Sequence, residues 1–229
     1  SNTAISALTS FHGRLYAATY QASGGATQLW RSLPLLATHA DASFIGEAKL
    51  DAAGSALAGV GDINGDGYDD FLVGAMSNDE AALQAGKAYL FLGKPGADWG
   101  INADLAQADA VFRGEASSDL AGFAVSGAGD VNGDGLADFP IGAPNNNEAA
   151  SDAGKVYLFL GRTGGWTGAI PLPSANATFL GEAADDGAGF SLAGVGDVNG
   201  DGYDDILIAS AGNDAGGTNA GKTYLMFGK

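Results

Sequence analysis

One segment recurs three times along this chain, at spacings of 68 and 67 residues, and only a fold built from a repeated unit can accommodate that. Each copy opens on Phe-x-Gly-Glu, at Phe44 to Glu47, Phe112 to Glu115 and Phe179 to Glu182. An Asp-rich loop begins 18 residues after each Phe. The loops read DINGDGYDD (Asp62 to Asp70), DVNGDGLAD (Asp130 to Asp138) and DVNGDGYDD (Asp197 to Asp205). An apolar run follows at once (FLVGAM, FPIGAP, ILIASA), and a second closes the unit (GKAYLFLG, GKVYLFLG, GKTYLMFG). The final Gly falls 31 residues after the first loop Asp every time, at Gly93, Gly161 and Gly228.

The apolar runs are short and separated by Gly, Asp and Asn, which is strand grammar. No segment sustains a 3.6-residue period. The loop between the two runs on either side of Asp62 to Asp70 is tight, so those strands should be antiparallel neighbours. Several strands per repeat match one blade of a β-propeller. The run before each loop is rich in small residues (ALAGVGD, AVSGAGD, SLAGVGD), as the crowded strand nearest a propeller axis requires. Residues 1–43 lack the Asp loop but offer strands at Ala4 to Leu8, Gly13 to Thr19 and Gln28 to Ser32. With the Phe44 strand these would form a divergent first blade. The expectation is therefore an all-β chain, one propeller domain over residues 1–229, with blades near 1–47, 48–115, 116–182 and 183–229. The last repeat stops after its third strand, leaving its outer strand to be supplied elsewhere.

Charge narrows the function. The formal charge is −17, from 27 acidic and 10 basic residues, which repels nucleic acid and anionic lipid. No apolar run is long enough to cross a membrane. There is no cysteine, so disulfides, thiolate metal sites and cysteine nucleophiles are excluded. That usage suits exported bacterial proteins better than disulfide-bonded animal ectodomains. The Ser-Asn-Thr start, without Met or an apolar leader, reads as a mature or trimmed chain.

The acids are collected into the loops, whose pattern is D-x-N-x-D-G-x-x-D. Calcium prefers six to eight oxygens, and alternate residues of a tight turn can aim oxygens at one centre. Positions one, three, five and nine offer side-chain oxygens, and position seven a backbone carbonyl. Three Ca²⁺ sites are expected. The first uses Asp62, Asn64, Asp66, the Tyr68 carbonyl and Asp70. The second uses Asp130, Asn132, Asp134, the Leu136 carbonyl and Asp138, and the third Asp197, Asn199, Asp201, the Tyr203 carbonyl and Asp205. An EF-hand would need a Glu at position twelve and flanking helices. Val73, Ile141 and Ile208 stand there instead, inside expected strands. Asp69 and Asp204, at position eight, are expected to face solvent.

These residues resemble the FG-GAP repeats of integrin α-subunit propellers and their bacterial relatives. The resemblance covers residues 44–229. Gly142-Ala143-Pro144 matches the second half of the motif outright. Gly122-Phe123 and Gly189-Phe190 carry the aromatic of the first half in inverted order. Repeat one departs with Ser55 and Gly74-Ala75-Met76, and repeat three with Ala209-Ser210-Ala211. The resemblance implies a calcium-bearing propeller used outside the cell or on its surface, for adhesion or for binding a protein ligand. Such rings close with about seven blades, so this chain would be part of a larger ring or would self-associate as a homo-oligomer to complete one.

Nothing points to an enzyme. The only histidines, His12 and His39, lie in the divergent N-terminal part without metal-ligand spacing. Gly189-Phe-Ser191-Leu-Ala193 fails as a nucleophile elbow at its last position. Glu47, Glu115 and Glu182 recur once per repeat, which suits bracing a neighbouring loop. A second reading is a lectin-like propeller that binds a glycan, with Trp30, Trp99 and Trp166 as stacking platforms or, equally, as packing between blades. A third is an accessory domain of a secreted hydrolase.

Overall fold

The computed structural model describes Ala4–Phe11, Arg14–Tyr20 and residues 40–229. Strands β1 (Ala4–Phe11) and β2 (Arg14–Tyr20) pair as an antiparallel hairpin, as two of the N-terminal runs suggest. The third, Gln28 to Ser32, lies outside the described residues, as do Trp30, His12 and His39.

After the short strand β3 (Phe44–Ile45) the first full blade begins. It contains β4 (Ala53–Gly61), β5 (Asp70–Ala75) and β6 (Lys87–Phe91), each antiparallel to the next. The chain then passes through β7 (Ala103–Asp104) and a 3-10 turn at Leu105–Gln107 to β8 (Ala110–Arg113), which pairs antiparallel with β6 and completes the blade. The second blade holds β9 (Ala124–Val125), β10 (Phe139–Ala143) and β11 (Lys155–Phe159). Its connection contributes β12 (Gly168–Pro171) and a 3-10 turn at Leu172–Ser174, and its outer strand is β13 (Ala177–Leu180). The third comprises β14 (Ala188–Gly196), β15 (Asp205–Ser210) and β16 (Lys222–Met226). The chain is thus all-β, and its repeats form propeller blades.

Two features follow from the connections. The outer strand of the first and of the second blade is supplied by the opening segment of the next repeat: β8 carries Phe112 and β13 carries Phe179. The connection after each third strand also runs beside the outer strand of the preceding blade, in parallel. Thus β12 pairs with β8, and β7 with β3. Phe44 stands towards β7 as an outer strand does.

Blade packing follows the two-residue period of the strands. In β5 and β6, Leu72, Ala88 and Leu90 face the second blade. Together with Phe112 of β8 they meet Phe139, Ile141, Tyr157 and Phe159 there. Val73, Tyr89 and Phe91 face the other way, onto Phe44 and Leu105. Val156 and Leu158 continue the pattern against Ile206 and Ile208 of the third blade. Each strand therefore serves two interfaces, which explains runs such as KAYLF and KVYLF being buried from end to end. The blades also meet backbone to backbone. A Cβ on Gly142 would lie 2.3 Å from the Gly189 carbonyl oxygen, and one on Gly74 2.2 Å from that of Gly122. The glycine of the "GA" pair is thus a requirement of close approach.

Candidate metal centre

Each Asp loop joins the innermost strand of its blade to the next, β4 to β5, β9 to β10 and β14 to β15. Side chains hold the turn, in the same way each time. In the first loop Asp62 Oδ1 accepts from the Gly65 and Asp66 amides at 2.7 and 3.1 Å, and its Oδ2 from Gly67 at 2.8 Å. Asn64 Oδ1 accepts from the Asp66 amide at 2.9 Å, and its Nδ2 donates to Asp66 Oδ2 at 3.0 Å. Asp66 Oδ1 accepts from the Tyr68 amide at 2.9 Å. Asp130, Asn132 and Asp134 make the same bonds in the second loop, onto Gly133, Asp134, Gly135 and Leu136. Asp197, Asn199 and Asp201 repeat them in the third, ending on Tyr203. Gly67, Gly135 and Gly202, at position six, sit at φ of 86°, 86° and 95°, where other residues are strained.

Position nine does a different job. Asp70, Asp138 and Asp205 are fully buried at the base of the loop. Asp70 Oδ2 accepts from the Ile63 amide at 3.0 Å, and its Oδ1 from Gly93 at 2.7 Å. Asp138 binds Val131 and Gly161 in this way, and Asp205 binds Val198 and Gly228. This tie explains the constant spacing of the closing Gly. Burial, reinforced by the nearby Asp66 and Asp62 charges and opposed by those two amides, pushes the Asp70 carboxyl up to about 7. Burial likewise raises Asp138 to about 6, with Asp134 and Asp130 adding to it.

The structure thus brings all four side chains of each set to one turn. Their chemistry fits a hard cation: three carboxylates and an amide oxygen per loop. Among the described residues, no three His, Cys, Asp or Glu side chains converge as a ready-made coordination group. The oxygens are turned to amides instead; Oδ1 of Asp62, Asp130 and Asp197 accepts two of them, and the other oxygens keep a second lone pair. The EF-hand alternative fails structurally as well: position twelve lies in β5, β10 and β15, and no α-helix occurs among the described residues.

Other expectations change. Trp166 is 2% exposed and packs on Phe112 and Phe139, its ring capped by Arg162 at 4.2 Å. Trp99 packs edge-on to Phe71 and beside Phe44. Both rings are thus engaged in packing, one of the two roles expected of them, Trp166 fully and half-buried Trp99 in part. Asp204 does not simply face solvent, since its carboxylate accepts from the Asp130 amide at 2.9 Å. Glu47, Glu115 and Glu182 each bind a lysine of their own repeat: Lys87 at 3.0 Å, and Lys155 and Lys222 at 2.7 Å. A second carboxylate, Glu80 or Glu148, joins the first two lysines at 2.6 and 2.5 Å.

One recurring set escapes a reading of the loops alone. Buried Asp51, Asp119 and Asp186 accept from Asn78, Asn146 and Asn213 at 2.8, 2.8 and 3.0 Å, and from the amides of Ala48, Ala116 and Ala183. They clamp the start of each inner strand to the turn after the next one. Burial raises the carboxyls of Asp51 and Asp119, against their Asn bonds. Their signal in the sequence is the same 68- and 67-residue spacing as the loops.

The FG-GAP repeat family model matches residues 53–91, 121–159 and 188–226, running each time from inner strand to third strand. Integrin alpha-IIb of Mus musculus is 32% identical over 174 residues, 73% of this chain and 16% of that protein. Integrin alpha-8 of Gallus gallus is 30% identical over 175 residues, 74% of this chain and 16% of its own length. Integrin alpha-PS2 of Drosophila melanogaster is 32% identical over 167 residues, 67% of this chain and 11% of its length. The chain therefore spans a small part of each relative it matches. The three family matches together cover just over half of the chain and coincide with its three looped blades, so the chain belongs to the FG-GAP repeat family.

Proposed function

We propose that this chain is a non-catalytic propeller module that binds a protein ligand outside the cell, and that calcium, one ion per Asp loop, stabilises its blades. The observation that carries this reading is the threefold recurrence of one hard-oxygen donor set at the same junction of every looped blade. Asp62, Asn64, Asp66, the Tyr68 carbonyl and Asp70 would hold the first ion, and the matching residues from Asp130 and from Asp197 the second and third. Bound calcium would supply positive charge against the three carboxylates of each loop. The chain's own part is to fix those carboxylates at the end of the inner strand pair, through the amide bonds that already shape the turn. Similarity to integrin α subunits supports adhesion or ligand binding as the use of the module. Protein is favoured over glycan because Trp99 and Trp166 are engaged in packing.

Thermal unfolding in millimolar Ca²⁺ and in chelator tests the calcium reading. Ligand at a hundredfold excess over its dissociation constant adds about 2.7 kcal/mol per site, so the midpoint should rise clearly with Ca²⁺. Equal midpoints would overturn the reading. Asp134→Ala should lower the calorimetric stoichiometry from three ions to two.

A further inference from the structure

Position eight of the Asp loop differs among the repeats: Asp69, Ala137 and Asp204. In the third repeat this side chain leaves its own loop and reaches the second. Asp204 Oδ2 accepts from the Asp130 amide at 2.9 Å, and the Asp204 amide donates to the Asp130 carbonyl at 3.0 Å. Two bonds from one residue thus hold the peptide groups on both sides of Asp130, which opens the second loop. The carboxylate lies against Gly129, where a Cβ would come within 2.0 Å of Asp204 Oδ2. The neighbouring Tyr203 ring covers Gly133 of the same loop, where a Cβ would fall 2.6 Å from Cε1. The first loop is held differently. The Ala137 amide donates to the Asp62 carbonyl at 3.1 Å, but the alanine methyl offers no acceptor to the Asp62 amide.

Building on the calcium reading above, we propose that Asp204 is a positioning residue for the second loop. By fixing the Asp130 backbone it fixes the direction of the Asp130 carboxylate. A turn ordered in advance loses less freedom on taking up an ion, so the second loop binds calcium more tightly than the first.

The test uses the full chain and reads each loop separately. In ¹H–¹⁵N spectra titrated with Ca²⁺, Gly65 and Gly67 report the first loop, and Gly133 and Gly135 the second. Asp204→Ala should weaken the second loop about fivefold, as expected for one lost hydrogen bond, and leave the first unchanged. Asp204→Asn, whose amide oxygen can still accept, should restore most of the loss; a general loss of stability would not be selective in this way. Equal weakening of both loops, or no change in the second, overturns the proposal. Hydrogen exchange in chelator provides a metal-free arm: the Asp130 amide should exchange faster in Asp204→Ala, and an unchanged rate overturns the clamp. If no loop glycine of the unsubstituted protein responds to Ca²⁺, the calcium reading fails together with the affinity difference, while faster Asp130 exchange would still establish the clamp.

Discussion

Repeats two and three place nearly the same residues after their Asp loops, yet only repeat two buries them. The strand KVYLF is buried throughout, whereas KTYLM alternates between half-buried and exposed. Lys155 is 6% exposed, bonds Glu115 and Glu148, and lies 4.7 Å from the Tyr157 ring, whose hydroxyl donates to Glu115. Lys222 is 36% exposed and bonds Glu182, with Ala215 standing where Glu148 would be. Phe227 and Val198, equivalents of half-buried Leu160 and buried Val131, are 54% and 52% exposed. Repeat two lies between two neighbours, and among the described residues nothing covers the far face of repeat three. An FG-GAP residue's energetic weight is therefore set by the blade next to it as much as by its own strand.

Four substitutions would break or sharpen that contrast. Lys155→Met leaves two carboxylates facing each other at the edge of the core and should destabilise by about 3 kcal/mol in denaturant unfolding. Burial works against the Lys155 charge, but its bonds to Glu115 and Glu148 outweigh burial and hold the ammonium above the usual lysine range. The gain from those bonds is thus fully present below the ordinary 10.5 and fades as pH climbs past the raised value. Unfolding midpoints of the unsubstituted protein and Lys155→Met should converge there. Next in size, Gly142→Ala forces a methyl against the Gly189 backbone and should cost about 1–3 kcal/mol by overpacking. The converse change in repeat three, Ala209→Gly, should cost only the extra chain entropy of glycine, about 0.5–1 kcal/mol. Smallest of all, Lys222→Met should leave the unfolding midpoint unchanged within scatter. A fall as large as that of Lys155→Met would mean that the two repeats are equivalent after all.

Much of this architecture is legible from residues 44–229. Alternating apolar runs announce strands, and nine-residue loops at fixed spacing announce blades and a donor set. Less legible were features whose meaning depends on a neighbour. Asp51 and Asn78 look like ordinary turn residues until their copies at Asp119 and Asn146 are aligned. Trp99 and Trp166 sit among glycines, where sugar stacking and blade packing read equally well, but a 3-10 turn burying Leu105 or Leu172 accompanies each connection back to the sheet. Asp204 has no equivalent in repeat two, so repetition could not reveal its reach to Asp130. The direction of the loop oxygens is likewise not written in the D-x-N-x-D-G-x-x-D spacing, which specifies donor types and a turn.

Because β8 and β13 come from the repeats that follow, the unit of sequence and the unit of structure run out of phase. A cut placed between two repeats, by protease or by design, strips an edge from the blade upstream and leaves an orphan strand downstream. Neighbouring blades are stapled by the chain itself, so a clean excision or insertion belongs just after an outer strand, near Glu115 or Glu182, and not just before it.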